Sequence, residues 1–201
     1  MLISKWKWIF LLLLTQNIFA QNITHGPMIG GVTENSARIY IRTSSAVNFS
    51  LEYSTDSTFS IFQQINSATD ANLDTSKIVE LQNLAIFTDY YFRYRINGNI
   101  ENTTGHFKTF PVVGATEHLT FVTGSCQETP NMKVFDVMPL YKPILFIHTG
   151  DFTYPSYQIP RYVGMDYPED WNAVKLGWRR RNEEPICKDM LKKMPIAYMP
   201  D

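Results

Sequence analysis

This sequence of 201 residues has almost no net charge, only two cysteines and few long apolar runs. Its 18 lysines and arginines against 19 acidic residues leave a formal net charge of -1. Nucleic-acid binding depends on clustered basic residues, and no sustained basic patch with interleaved aromatics is present, so we expect no nucleic-acid partner. The two cysteines, Cys126 and Cys187, allow a single disulfide. No internal repeat or low-complexity tract is evident.

The first 20 residues have the pattern of a secretory signal peptide. Two lysines precede an apolar stretch over residues 8–14, and Ala20 is a small residue at the expected cleavage position. The stretch is too short for a stable transmembrane helix, and no lipid-accepting cysteine lies near the cut. We expect cleavage after Ala20 and a soluble monomer that is secreted or periplasmic. An uncleaved membrane anchor is the alternative.

Residues 22–111 have an all-β pattern. Apolar and polar residues alternate over 36–43 and 48–54, and more strands are expected at 77–81, 89–96 and 104–109. Asn97-Gly98 favours a hairpin turn, because both positions tolerate positive φ. Leucines followed by tyrosines over residues 81–94 are similar to the tyrosine corner of fibronectin type III domains. The pattern predicts a fibronectin type III-like β-sandwich.

The pattern changes after a linker at residues 111–116, and residues 117–201 form a second region. Strands are expected at 119–123, 144–148 and 196–199, and a loop at 154–170. Helices are expected at 169–182 and 185–193, and a helix that Asp136 and Pro139 shorten is expected within 130–141. Strands that alternate with helices predict a parallel sheet. Residues 194–201 are an apolar run that stops on Asp201, so we expect a fragment cut inside an α/β domain.

Three candidate metal ligands follow the first two strands of this region. Cys126 ends the run Gly-Ser-Cys, and Asp151 and Tyr154 belong to the run Gly-Asp-Phe-Thr-Tyr. Ligands bind at the carboxyl ends of parallel strands in open α/β sheets. A carboxylate can bridge two cations, and thiolate with phenolate favours an acidic transition metal. Together they suggest ferric iron beside a second, oxygen-loving ion.

Each of these residues also has a structural interpretation. Asp151 could cap a turn, Tyr154 could pack at the edge of the core, and Cys126 could pair with Cys187. His148 lies within a strand and is expected to be a buried structural histidine. The basic run at residues 179–181 is balanced by two glutamates and is expected to be a solvated helix face, with attraction of phosphate as the alternative.

The segments 121–126 and 148–154 resemble the first two metal motifs of the alkaline phosphatase D (PhoD-like) family of calcineurin-type metallophosphatases. Residues 26–33 and 36–42 resemble the opening of that family's fibronectin-like domain. The resemblance implies an αββα metallophosphatase fold, here truncated, for residues 117–201. It implies that Cys126 and Tyr154 bind Fe³⁺ and that Asp151 bridges this ion to Ca²⁺.

By the same resemblance, a metal-activated hydroxide attacks the phosphorus of phosphate esters. Asp201 resembles the first acid of a further metal motif, but the rest of that motif and the later ligands are absent, so the chain alone is expected to be inactive. The expected function is a secreted phosphomonoesterase or phosphodiesterase. The alternatives are a phospholipase D-like hydrolase on the same scaffold and a non-catalytic fibronectin-like binding module.

Overall fold

The computed structural model describes residues 22–127, 132–154 and 171–199. The predicted signal peptide, Asp201 and nearly all of the predicted loop at 154–170 lie outside these residues. Within the described ranges, no helix has the length and apolar character needed to cross a membrane. The chain forms an antiparallel β-sandwich followed by a parallel sheet with helices, which confirms the predicted fold class.

The sandwich consists of two antiparallel sheets, with strand orders β1-β2-β5 and β4-β3-β6-β7. In β2, Ala37, Ile39 and Ile41 are fully buried while Arg38 is exposed, as a strand with one face on the core requires. The pattern did not predict β1 and β4. The seven strands are β1 (Ile23–Gly30), β2 (Ala37–Thr43), β3 (Asn48–Ser54), β4 (Gln63–Ala68), β5 (Ser76–Leu81), β6 (Asp89–Ile96) and β7 (Asn99–Lys108).

Two local signals of the sandwich are confirmed. Asn97 and Gly98 both have positive φ, 50° and 80°, and connect β6 to β7 in a tight hairpin. The hydroxyl of Tyr90 accepts a 2.8 Å hydrogen bond from the backbone N–H of Ala85, and the Tyr90 ring stacks on Phe107. Tyr90 is therefore the tyrosine of the corner, where it fixes the turn before β6 against the core.

The second half contains three parallel strands in the order β8-β9-β10. These are β8 (Phe121–Gly124), β9 (Leu145–His148) and β10 (Ile196–Tyr198). The helix expected at 130–141 is short: α1 (Val134–Val137) gives way to a 3₁₀ turn, Met138–Tyr141, because Pro139 has no N–H to continue an α-helix. Between β9 and β10 lie α2 (Trp171–Glu183) and α3 (Pro185–Leu191).

Strand β1 connects the two halves, since it contacts α2, α3 and β10 as well as β2. The ammonium of Lys188 on α3 donates to the carbonyl oxygen of Thr24 at 3.1 Å. On α2, Arg179 donates to Asp74 of the sandwich at 2.6 Å. The parallel sheet is thus held against the sandwich by side chains of both helices, which orients the carboxyl ends of β8 and β9.

Candidate metal centre

Backbone hydrogen bonds hold the segments after β8 and β9 side by side. The N–H of Cys126 donates to the carbonyl oxygen of Gly150 at 3.2 Å, and the N–H of Gln127 donates to that of Asp151 at 2.8 Å. The pairing of the two strands therefore continues beyond their ends. As a result, the side chains of Cys126 and Asp151 leave the same edge of the sheet.

The backbone at this edge adopts conformations that L-amino acids rarely take. Cys126 has φ of 60° and Asp151 has φ of 54°, next to Gly150 at 115°. A left-handed conformation at a non-glycine residue costs on the order of 1–3 kcal/mol and persists only where the surrounding structure holds it. Such residues concentrate at functional sites, so two of them side by side make this edge a candidate.

The side chains of the three predicted ligands meet at one carboxylate oxygen. The phenol of Tyr154 donates to Oδ2 of Asp151 at 2.6 Å, and Sγ of Cys126 lies 3.3 Å from the same oxygen. Cys126 is exposed, whereas Asp151 and Tyr154 are half-buried. The structure thus brings together the three residues singled out in the sequence, and their role as metal ligands stays a prediction.

Burial raises the pKa of Tyr154 above its ordinary value, and Asp151 and Cys126 beside it raise the pKa further. The phenol of Tyr154 therefore stays protonated and donates a hydrogen bond to Asp151. A cation among the three groups would reverse this preference, because positive charge favours phenolate and thiolate. The cluster is suited to exchange protons for a metal ion.

The donor set fits part of a metal site. Among the described residues, no three His, Cys, Asp or Glu side chains cluster, so the phenol of Tyr154 is needed as a third donor beside Cys126 and Asp151. Protein metal sites use at least four donors. The three residues would therefore supply part of a coordination sphere.

The prediction of a solvated basic helix face is wrong for Arg181, which is fully buried. Its guanidinium donates to both carboxylate oxygens of Glu184, at 2.9 and 2.8 Å, and to the carbonyl oxygen of Gln127. Because Gln127 follows Cys126 directly, the hydrogen bond from Arg181 to Gln127 anchors the segment that carries the thiol, and Glu184 holds the guanidinium in place. Sequence reasoning missed this supporting contact, whose only signal was the three-residue spacing of Arg181 and Glu184.

His148 is buried among aromatic rings, as predicted. Only 2% of it is exposed, and its ring lies edge-on to Phe146 and Phe152 at centroid distances of 5.5 and 5.0 Å. The ring of Tyr198 from β10 lies 5.7 Å away. The histidine therefore belongs to the packing beneath the cluster.

The structure holds both cysteines as free thiols, so the alternative disulfide between them is not formed in it. Cys187 is fully buried in the core of the α/β half, with Met190 and Phe146 in the same cluster. Burial raises the pKa of the Cys187 thiol to about 12. This thiol is a packing residue, which leaves Cys126 as the accessible one.

Comparison with known families identifies the first half of the chain. The family model described as PhoD-like phosphatase, N-terminal domain, matches residues 12–111. That range includes all seven strands of the sandwich. No curated protein matches the chain significantly in sequence.

Solved structures extend the likeness into the second half. A structure of PhoD matches with a TM-score of 0.73 and 19% identity over 87% of this chain. The chain spans 38% of that protein's length, and at this identity the match shows the fold. A sensor domain of the anti-sigma factor RsgI4 from Pseudobacteroides cellulosolvens matches 50% of this chain, at 20% identity and a TM-score of 0.40, with 99% of its own length covered. A fibronectin type III domain of human collagen XX matches 42% of this chain, at 17% identity and a TM-score of 0.35, with 88% of its own length covered.

Proposed function

The chain belongs to the PhoD-like phosphatase family, and we propose that it forms part of a secreted, metal-dependent phosphoric ester hydrolase, a phosphomonoesterase or phosphodiesterase. The observation that carries this proposal is the convergence of Cys126, Asp151 and Tyr154 on one oxygen at the carboxyl edge of the parallel sheet. This edge is where open α/β sheets bind their ligands.

In the proposed site, Cys126 and Tyr154 would hold Fe³⁺, and Asp151 would be the carboxylate shared with Ca²⁺. Two such metal ions would act as Lewis acids toward water and toward the phosphoryl oxygens of the substrate. Membership of the family and the chemistry of the three donors support this choice of ions.

The chain's own residues contribute position and charge. The hydrogen bonds from Cys126 to Gly150 and from Gln127 to Asp151 fix the distance between the two ligand-bearing segments before any ion binds. Arg181 holds the first of these segments from below. Asp151 carries the negative charge that attracts a cation, while Tyr154 and Cys126 release protons when one arrives. A site held in place this way loses little freedom on binding, which favours affinity.

Metal analysis and turnover by the full-length natural protein test this proposal. We expect bound iron, and hydrolysis of 4-nitrophenyl phosphate, bis(4-nitrophenyl) phosphate or both. Asp151→Asn should lower turnover about 100-fold or more, since even residues outside the coordination sphere cost 10–100-fold. The control Asp136→Asn, a matched change at an exposed site on α1, should leave turnover unchanged.

A protein without metal and without turnover would favour the non-catalytic binding module. Metal with full turnover in Asp151→Asn would instead place the chemistry elsewhere in the protein. Secretion is tested separately, because cleavage after Ala20 predicts a mature protein that begins at Gln21 by mass spectrometry.

A further inference from the structure

A cavity of about 540 Å³ lies between the sandwich and the parallel sheet. From the sandwich, Tyr91, His106 and Lys108 line it, and from the α/β half, Lys142, Lys193 and Pro195 do so. Its volume falls within the range typical of small-molecule sites, which occur preferentially where two domains meet. It is therefore large enough for a small ligand that touches both halves of the chain.

This cavity is separate from the candidate metal centre. Lys142 precedes β9 and Pro195 precedes β10, so the cavity lies at the amino ends of the strands. Cys126 and Asp151 follow the opposite ends. At about 3.3 Å per residue, the length of β9 and its flanking residues separates the two sites by roughly 20 Å. A molecule in the cavity cannot touch both.

The charged groups that line the cavity are mainly positive. Lys108, Lys142 and Lys193 contribute three ammonium groups, and Asp89 contributes the single carboxylate. That carboxylate already contacts His106 at 2.8 Å and Lys108 at 3.9 Å. Opposite charges favour a ligand that brings at least one negative group of its own.

Lys142 is the least compensated of the three lysines. Lys193 is paired with Asp189, and the Lys108 ammonium lies 3.7 Å from the centre of the Phe87 ring. Lys142 is exposed and, in the part of the chain that the structure describes, makes no ion pair. Its backbone has φ of 48° at the end of the 3₁₀ turn. An anion would gain most from this ammonium.

Aromatic and proline side chains form the rest of the wall. The rings of Tyr91 and His106 pack against each other with centroids 4.9 Å apart, and Pro139, Pro143 and Pro195 face the same space. The backbone N–H of His106 also donates to the carbonyl oxygen of Lys192 at 2.9 Å, which connects this wall to the α/β half. Rigid apolar walls beside basic groups suit a flat body that carries an anionic head.

We propose that this cavity is a second ligand site, which binds a small organic anion with a flat apolar body and a phosphate or carboxylate head. The anionic head lies among Lys108, Lys142 and Lys193, and the body packs between Tyr91 and Pro195. Because both halves of the chain line the site, an occupant also stabilises their contact by mass action. This inference does not depend on the metal centre or on the hydrolase activity.

Pyridoxal 5′-phosphate tests the site directly in the full-length protein. Its aldehyde condenses with a lysine amine with loss of water, borohydride reduces the imine to a stable amine, and peptide mass spectrometry locates the label. At limiting reagent, we expect Lys142, Lys108 or Lys193 to be labelled at least about fivefold more than Lys77, an exposed lysine on β5. Pyridoxal, which lacks the phosphate, should show no such preference.

Competitors identify the head group. Protection of the cavity lysines by phenylphosphonate indicates a phosphate-type head, and protection by phthalate indicates a carboxylate. Lys142→Gln should lower labelling of Lys108 and Lys193 about fivefold, as expected for one lost charge contact, while Lys77→Gln should not. Even labelling of all exposed lysines, no protection by either competitor, or unchanged labelling in Lys142→Gln would each overturn the proposal.

Discussion

The phenol of Tyr154 donates a 2.6 Å hydrogen bond to Oδ2 of Asp151, three residues earlier in the chain. This bond occupies the oxygen that the thiol of Cys126 also contacts. The three groups are therefore already assembled, and the bound proton is what a cation would have to displace. The contribution of the phenol can be tested by removing its hydroxyl and nothing else.

Tyr154→Phe keeps the ring and deletes the third donor. In the full-length protein we expect iron affinity to fall at least about tenfold, and any visible absorption from iron-bound phenolate to disappear. Metal titration with absorption spectroscopy measures both. Tyr141→Phe is the control, since Tyr141 is 68% exposed and outside the cluster. Unchanged affinity and absorption in Tyr154→Phe would show that the tyrosine is only a packing residue.

The two thiols should differ sharply in reactivity. Cys126 is exposed, while Cys187 is fully buried with its pKa raised to about 12 by burial. Because thiolate is the reactive form, a thiol reagent with chelator present should modify one cysteine rapidly in the native protein and two after denaturation. Cys126→Ser should abolish the rapid phase, and Cys187→Ala should retain it. If no thiol reacts, even after denaturation, until a reductant is added, the two cysteines form a disulfide instead.

Most strands of the sandwich were predictable because each has a local alternation of apolar and polar residues in its own sequence. In β2 the alternation of apolar and polar residues matches the two faces of a half-buried sheet. The same alternation located β3, but the expectation of a half-buried strand is wrong there, because its polar residues Ser50, Glu52 and Ser54 are buried as well. Strand β4 lacks this signal, since four of its six residues are exposed and none is buried. Strand β1 contains Gly26-Pro27, a pair that normally marks a turn. Its place depends on contacts with β2 and the helices, which the local pattern does not encode.

The candidate site also contains residues that the sequence alone could single out and one that it could not. Cys126, Asp151 and Tyr154 could be found because they follow apolar strands at an edge where ligands bind. Arg181 could not, since its burial depends on Glu184 and on the carbonyl oxygen of Gln127, which lies 54 positions away in the chain. Long-range contacts of this kind leave no periodicity in the sequence.

Stability of the sandwich should fall in acid through Glu52, which is 1% exposed and contacts Arg93 at 2.6 Å and Arg95 at 2.9 Å. Burial alone would raise the pKa of Glu52, but the hydrogen bonds from the two arginines outweigh burial and lower it. A lowered folded-state pKa contributes stability that is present above the unfolded value of about 4.3 and is lost as pH falls through the folded value.

Glu52→Gln should therefore cost about 2 kcal/mol of unfolding free energy at pH 7. The difference from the natural protein should shrink as pH falls below about 4.3, where the carboxylate is protonated first in the unfolded chain, and should vanish below the lowered folded-state pKa of Glu52. Urea denaturation across pH 3–7 measures it. Glu80→Gln is the control, because its 3.5 Å contact with Arg38 is exposed on both sides and should be worth about 0.5 kcal/mol. A constant difference across that range would mean that charge is not the cause.

Gly105 on β7 has no room for a side chain, whereas Gly30 on β1 does. A Cβ at Gly105 would overlap the ring of Phe92, which is fully buried in the sandwich core and cannot move aside without displacing its neighbours. At Gly30, a Cβ would stand 3.5 Å from the carbonyl oxygen of Ile196, an ordinary contact. The same methyl group should therefore have different effects on stability in two strands of one sandwich.

Gly105→Ala should lower the unfolding free energy by about 2 kcal/mol through overpacking. Gly30→Ala should be neutral or stabilise by about 0.5 kcal/mol, because alanine restricts the unfolded chain. Thermal unfolding of both variants beside the natural protein decides between these outcomes. The double variant Gly105→Ala with Phe92→Leu should recover part of the loss, since the smaller side chain makes space for the methyl group. Equal stability of the two single variants would contradict the close packing of Gly105 on Phe92, because the overlap with the ring is what distinguishes the two sites.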